Sequence, residues 1–188
     1  MIANRDNSTD MDSYLIVVLP WLEKMYSISL NIYRDKKDAE KLVSDTYVEG
    51  FKKFRNYGVW DEPGVWLFRI YYNKFNETNG RADDNLNISA SPDPPETTET
   101  LRSGFEWDKV KSAIREHVDV NDLMFSVPLE ERLPLLLSLI GGFNYGQICS
   151  IVQEDCNSVR KAIRKANITI SRSVFDSVAS ESKGIQRN

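Results

Sequence analysis

The sequence predicts an all-α protein built as two small helical domains joined by a flexible linker. Three observations carry that reading. Apolar residues recur at three- and four-residue spacing in both halves, as in "AEKLVSDTYVEGF" and "VRKAIRKANITI". No stretch sustains the polar–apolar alternation of a strand. Between the halves lies "NGRADDNLNISASPDPPETTETLRSG", acidic, rich in Pro, Ser and Thr, and too poor in large apolar residues to offset the entropy of ordering. The expected units are residues 13–79, a linker over 80–104, and residues 105–178.

The first half opens with a helical segment from about Ser13 to Tyr33. Its run "YLIVVLPWL" is far short of the roughly 20 residues that cross a bilayer, and Pro20 interrupts it. The residues before it are polar, with Asp6, Asp10 and Asp12, unlike a secretory signal, so a soluble, cytoplasmic chain without membrane insertion is expected. Next, "RDKKDAEKLVSDTYVEGFKKF" places Ala39, Leu42, Val43, Thr46, Tyr47, Gly50, Phe51 and Phe54 on one helical face. Asp35 suits the N-cap and Asp38 the first turn, while Lys52, Lys53 and Arg55 suit the C-terminal end of the helix dipole. The turn "DEPG" leads into an aromatic-rich helix, "VWLFRIYYNKFNE".

In the second half, Trp107, Val110, Ile114 and Val118 mark a first amphipathic helix. The next, "VPLEERLPLLLSLIGG", is entered at Pro128 and stopped by Gly141–Gly142, with Pro134 predicting a kink or a shifted start. Asn144 then caps a short helix with Ile148, Ile151 and Val152 inward. After the turn "QEDCN", Asn157 or Ser158 is expected to cap a helix with Val159, Ala162, Ile163, Ala166 and Ile170 inward. That leaves Arg160, Lys161, Arg164 and Lys165 outside, the plan of a helix-turn-helix.

A net charge of −4 and a pI near 5.2 exclude a general polyanion binder, so any nucleic-acid contact belongs to a local patch. The cationic helix supplies one. Lys and Arg neutralise phosphates, Arg can bond guanine edges in a bidentate way, and Asn157 and Ser158 can offer side chains and backbone N–H groups to phosphate. Cys149, Cys156 and the single His117 cannot complete a zinc site; the two thiols read as reduced packing residues, and no metal or cofactor is expected. No nucleophile–base pair, phosphate loop or carboxylate pair can be assembled, so no enzyme is expected.

The stretch "DAEKLVSDTYVEGFKKF", followed by "VWLFRIYYNKF", resembles region 2 of bacterial extracytoplasmic-function (ECF) sigma factors of the sigma-70 family. The stretch "VPLEERLPLLLSLIGGFNYGQICSIVQEDCNSVRKAIRKA" resembles their region 4, and the resemblance runs from about Leu22 to Ile170. It implies a transcription initiation factor that binds core RNA polymerase and promoter DNA and is held by an anti-sigma factor. The polymerase β′ clamp would be met by Asp38, Glu40, Asp45 and Glu49. The minus-10 element would be met by Tyr57, Trp60, Arg69, Asn73 and Lys74, with Trp66, Leu67, Phe68 and Ile70 as core. The minus-35 duplex would be met by Asn157, Ser158, Arg160, Lys161, Arg164 and Lys165. Departures from the family pattern are Lys41 and Ser44 on the acidic helix, Glu77, Asp83 and Asp84 where a basic run is common, and Ala162 and Asn167 where Arg is common. The alternative reading is a sigma mimic that sequesters an anti-sigma factor without touching DNA.

Overall fold

The computed structural model describes residues 3–54, 62–79 and 120–184, and every regular element among them is helical. Helix α1 (Ala3–Val18) passes through a single 3-10 turn (Leu19–Trp21) into α2 (Leu22–Ile32). The expected segment from about Ser13 to Tyr33 is thus divided at Pro20, which lacks an N–H and sits at the start of the tight turn. The stretch Asp10–Ile32 is long and apolar enough to span a membrane by length and composition. Here Tyr14, Val18, Met25, Ile28 and Ile32 are buried in the protein's own core.

Helix α3 (Lys36–Phe54) begins where the sequence places it: the Asp35 carboxylate accepts the Lys37 N–H at 2.7 Å and its carbonyl accepts the Ala39 N–H. Ala39, Leu42, Val43, Thr46 and Gly50 are buried on the predicted face. A Cβ at Gly50 would lie 2.6 Å from the Tyr14 hydroxyl, so the glycine leaves room for that hydroxyl to donate to the Tyr47 carbonyl at 2.6 Å. Helix α4 (Pro63–Thr78) starts with proline, whose missing N–H costs nothing in a first turn, and buries Val65, Leu67, Phe68, Ile70, Tyr71 and Phe75. Trp66 is only half-buried.

Among the described residues, the second half contains α5 (Val120–Phe125), α6 (Leu129–Leu136), α7 (Tyr145–Val152) and α8 (Cys156–Gly184). Pro134 lies inside α6, which widens into a π turn over Leu137–Gly141. Gly142 ends it at φ 78°, a left-handed backbone that glycine adopts without strain, and the Phe143 N–H closes back on the Leu137 carbonyl at 3.2 Å. At α7, Asn144 and Gln147 form a reciprocal capping box with both bonds at 2.9 Å. Helix α8 runs beyond the expected end of the second unit, to Gly184.

The two halves pack on each other: α2 lies on α6 and the π turn, and α4 on α7. Trp21 stacks on Phe143 with centroids 5.7 Å apart, and Phe68 meets the same ring edge-on at 5.0 Å. Arg132 is 7% exposed and donates to main-chain carbonyls. Its Nε and Nη2 donate to Val127 at 3.0 and 2.7 Å, and Nη1 reaches across to Ile32 at the C-terminus of α2 at 3.5 Å. Its guanidinium lies 4.7 Å over the Phe125 ring. Burial first, and the nearby Arg34 charge second, push its pKa down. The expected linker and the expected helix from Trp107 to Val118 lie outside the described residues.

Two expectations are corrected. Cys149 and Cys156 are bonded as a disulfide, not reduced packing thiols, because a tight turn with Gln153 at φ 55° brings their Cα atoms to 5.4 Å. The cap of α8 is Asp155, one position before the helix, and neither Asn157 nor Ser158. Its carboxylate accepts the N–H groups of both, at 2.9 and 3.1 Å.

Candidate nucleic-acid interface

Along α8 the buried stripe is Val159, Ile163, Ala166 and Ile170, with Ala162 half-buried at its margin. This stripe fixes the helix against α6 and α7 and forces Arg160, Lys161, Arg164 and Lys165 outward, and all four are exposed. Arg160 and Lys165 also make local contacts. The Arg160 guanidinium sits 5.5 Å over the Tyr145 ring, and Lys165 approaches Glu131 at 3.8 Å. The result is a cationic face on the second helix of a helix-turn-helix, as the spacing predicts.

At the start of α8 the structure differs from expectation. The N–H groups of Asn157 and Ser158 and the Ser158 hydroxyl all bond Asp155, whose carboxyl is held below the usual range, chiefly by the Ser158 hydroxyl bond. The place at the helix N-terminus that attracts an anion already holds a carboxylate. The exposed Asn157 side chain and the four cations are the groups that this helix leaves to offer an anion. Sequence reasoning missed Asp155, although an Asp three residues before a Ser at a helix start is a legible capping signal.

On α4, Arg69 and Asn73 face α7. Arg69 Nη2 donates to the Ser150 hydroxyl at 2.6 Å and Nε to the Ser150 carbonyl at 3.1 Å, while Gln153 Nε2 donates to Asn73 Oδ1 at 3.2 Å. Gln147 of α7 also donates to Glu62, just before α4. Lys74 pairs within its own helix with Glu77 at 2.8 Å, a bond that raises its pKa with help from Glu49 and Asp45 on α3. Tyr57 and Trp60 lie outside the described residues. Periodicity gave no sign of Ser150 and Gln153, because their role depends on a contact made about 80 residues away along the chain.

On α3, Asp38, Asp45 and Glu49 share one side, spaced by two turns and then one. Glu40, two residues after Asp38, points about 200° away around the axis, so the four acids do not form a single patch. Glu40 pairs with Lys36 at 3.5 Å, and Glu49 with Lys53 at 3.2 Å and Lys52 at 3.5 Å. The hydrogen bond from Lys53 is the main cause of the lowered Glu49 pKa. Ser44 is exposed, whereas Thr46 is buried and donates to the Leu42 carbonyl at 2.7 Å.

No family model matches the chain. Solved structures do. The sigma factor RpoE of Bartonella quintana, solved in complex with the anti-sigma factor NepR, aligns with a TM-score of 0.58 at 18% identity, over 89% of this chain and 97% of its own. CnrH, solved in complex with the cytosolic domain of CnrY, aligns with a TM-score of 0.57 at 16% identity, over 90% of this chain and 92% of its own. The chain shares the fold of these two proteins along most of its length.

Proposed function

We propose that this chain is an ECF-type sigma factor, which joins core RNA polymerase and directs promoter-specific transcription initiation. The observation that carries the reading is the outward cationic face of α8 on a chain of net charge −4, within a fold shared along most of its length with a sigma factor. Phosphates repay a local patch, and polymerase supplies the rest of the grip on DNA, so the whole surface need not be basic.

In this reading Arg160, Lys161, Arg164 and Lys165 meet the minus-35 duplex, with Asn157 and Ser158 at the edge of the contact. Asp38, Asp45 and Glu49 present negative charge to the β′ clamp, and Glu40 contributes from the far side of α3. Tyr57, Trp60, Arg69, Asn73 and Lys74 meet the minus-10 element. Arg69 and Asn73 become available to a DNA strand once α7 leaves α4. The complexes of RpoE with NepR and of CnrH with CnrY support an anti-sigma partner for this chain as well. A cytoplasmic location and the absence of covalent chemistry belong to the same reading.

A second reading is favoured by one observation: Arg69 and Asn73 are both engaged by α7 in the packed chain. A sigma mimic that only occupies an anti-sigma factor has no need to expose them. Run-off transcription with purified core polymerase over a promoter library separates the two. Defined transcripts that depend on the chain support the sigma factor, and their absence alongside tight capture of an anti-sigma factor supports the mimic.

A further inference from the structure

We propose that Cys149 and Cys156 are a thiol–disulfide redox site that locks the turn of the helix-turn-helix when oxidised, with a low-molecular-weight disulfide such as glutathione disulfide as co-reactant. The two residues stand seven apart, Cys149 on α7 and Cys156 as the first residue of α8. Their Cα separation of 5.4 Å falls inside the range a disulfide spans without moving the backbone. The turn between them is already anchored to Cys149, whose carbonyl accepts the N–H groups of Gln153 and Glu154. The side-chain bond ties the other end of the same turn.

The two sulfurs differ in access. Cys149 is 8% exposed and packs with the core, whereas Cys156 is half-buried beside solvent. Cys156 is therefore the entry point: its thiolate attacks the small disulfide, forming a mixed disulfide and releasing one thiolate. Cys149 then loses its proton, and its sulfur attacks that of Cys156 and expels the second small thiolate. In sum, two protein thiols and one small disulfide become one protein disulfide and two small thiols, the protein losing the two electrons that the small disulfide gains.

The position gives the bond its consequence. Ser150, which holds Arg69, is the residue after Cys149, and Arg160 follows Cys156 by one helical turn. Oxidation therefore fixes the cationic face relative to the helix seated on α4. Reduction leaves the first turn of α8 to Asp155 and its own backbone bonds. The effect on promoter reading rests on the proposed function; the bond itself does not.

The test uses the full chain equilibrated in glutathione buffers from reducing to oxidising, with thiols trapped by alkylation and counted by intact mass, and with hydrogen exchange followed at residues 156–160. The expected result is a transition from two alkylated thiols to none, accompanied by exchange about tenfold slower or more in the first turn of α8. A Cys156→Ser variant, and independently Cys149→Ser, should abolish both the transition and the exchange difference. The proposal is overturned if both thiols remain alkylatable throughout, if only mixed disulfides accumulate, or if the bridge forms and exchange does not change. Neither readout involves polymerase or promoter, so failure here is distinct from failure of the sigma reading.

Discussion

Arg69 on α4 and Ser150 on α7 are joined by two hydrogen bonds, from Nε to the carbonyl at 3.1 Å and from Nη2 to the hydroxyl at 2.6 Å. The contact links a helix of the first half to the first helix of the helix-turn-helix. It also divides the two surfaces assigned to DNA. The α4 face is engaged inside the molecule, while the cationic face of α8 points outward. The packed chain thus presents one of the two surfaces and covers part of the other.

Removing this latch should open the α4 face. Ser150→Ala with Gln153→Ala deletes the hydroxyl bond to Arg69 and the amide bond to Asn73. Discounted for partial exposure, the loss is about 1 kcal/mol, or about fivefold in the balance between packed and open forms. The free double variant should bind a labelled minus-10 non-template strand about fivefold more tightly in fluorescence anisotropy. Unchanged or weaker binding would contradict the assignment of Arg69 and Asn73.

The shared core predicts joint unfolding of the two halves. Phe143→Ala removes the ring between Trp21 and Phe68 and should cost about 3–5 kcal/mol in urea denaturation. Gly64→Ala should also destabilise, by about 1–3 kcal/mol, because its Cβ would fall 2.4 Å from two Trp21 ring atoms. Wild-type protein should unfold in one cooperative transition. Two well-separated transitions would show that the halves do not rely on this seam.

Arg132 fills a place that another cation cannot. Its planar fork serves Val127, Phe125 and the end of α2 together, and an ammonium on a single stem cannot reach all three. Arg132→Ala should cost about 2–4 kcal/mol by leaving buried carbonyls without donors. Arg132→Lys should recover less than half of that in thermal denaturation, and full recovery would argue against the fork.

Buried phenols set the alkaline limit of stability. Burial raises the pKa of Tyr14, Tyr47 and Tyr71 above the ordinary value, Tyr47 to about 12. The unfolded chain therefore loses these protons first. Stability from the neutral phenols is intact below about pH 10 and falls as pH rises from there, for Tyr47 toward about 12. Each phenol contributes a slope of about 1.4 kcal/mol per pH unit, so Tyr14→Phe should flatten the decline by one such slope. Urea midpoints measured from about pH 9 to about pH 11 test this, and identical slopes in the two proteins would refute it.

Much of the fold was legible because the signals are local. The apolar face of α3, the Asp35 and Asn144 caps, the Gly141–Gly142 stop and the stripe beneath the cations of α8 follow from spacing and capping chemistry. What escaped depends on distance along the chain. Hydrophobic periodicity says which face of α4 and of α7 turns inward, but not that Arg69 will find Ser150 or that Phe143 will stack on Trp21. Arg132 follows Glu130 and Glu131 at the edge of the apolar run "LPLLL", so nothing local marked it as a buried cation, and its partner Ile32 at the end of α2 lies 100 residues away along the chain. Pairing of Cys149 with Cys156 was hidden for another reason: it needs the left-handed turn at Gln153, a residue type with little preference for that backbone.

The division of labour between α3 and α8 is tested most directly by measuring, for one set of proteins, association with core polymerase and holoenzyme binding to promoter duplex across salt concentrations. Wild-type chain should join core and bind promoter. Arg160→Ala with Arg164→Ala should still join core but bind promoter more weakly, with a salt slope smaller by about 1.8. Asp45→Lys should lose core polymerase first. A wild-type chain that does not join core polymerase, or an Arg160/Arg164 variant that loses core and promoter together, would contradict the account.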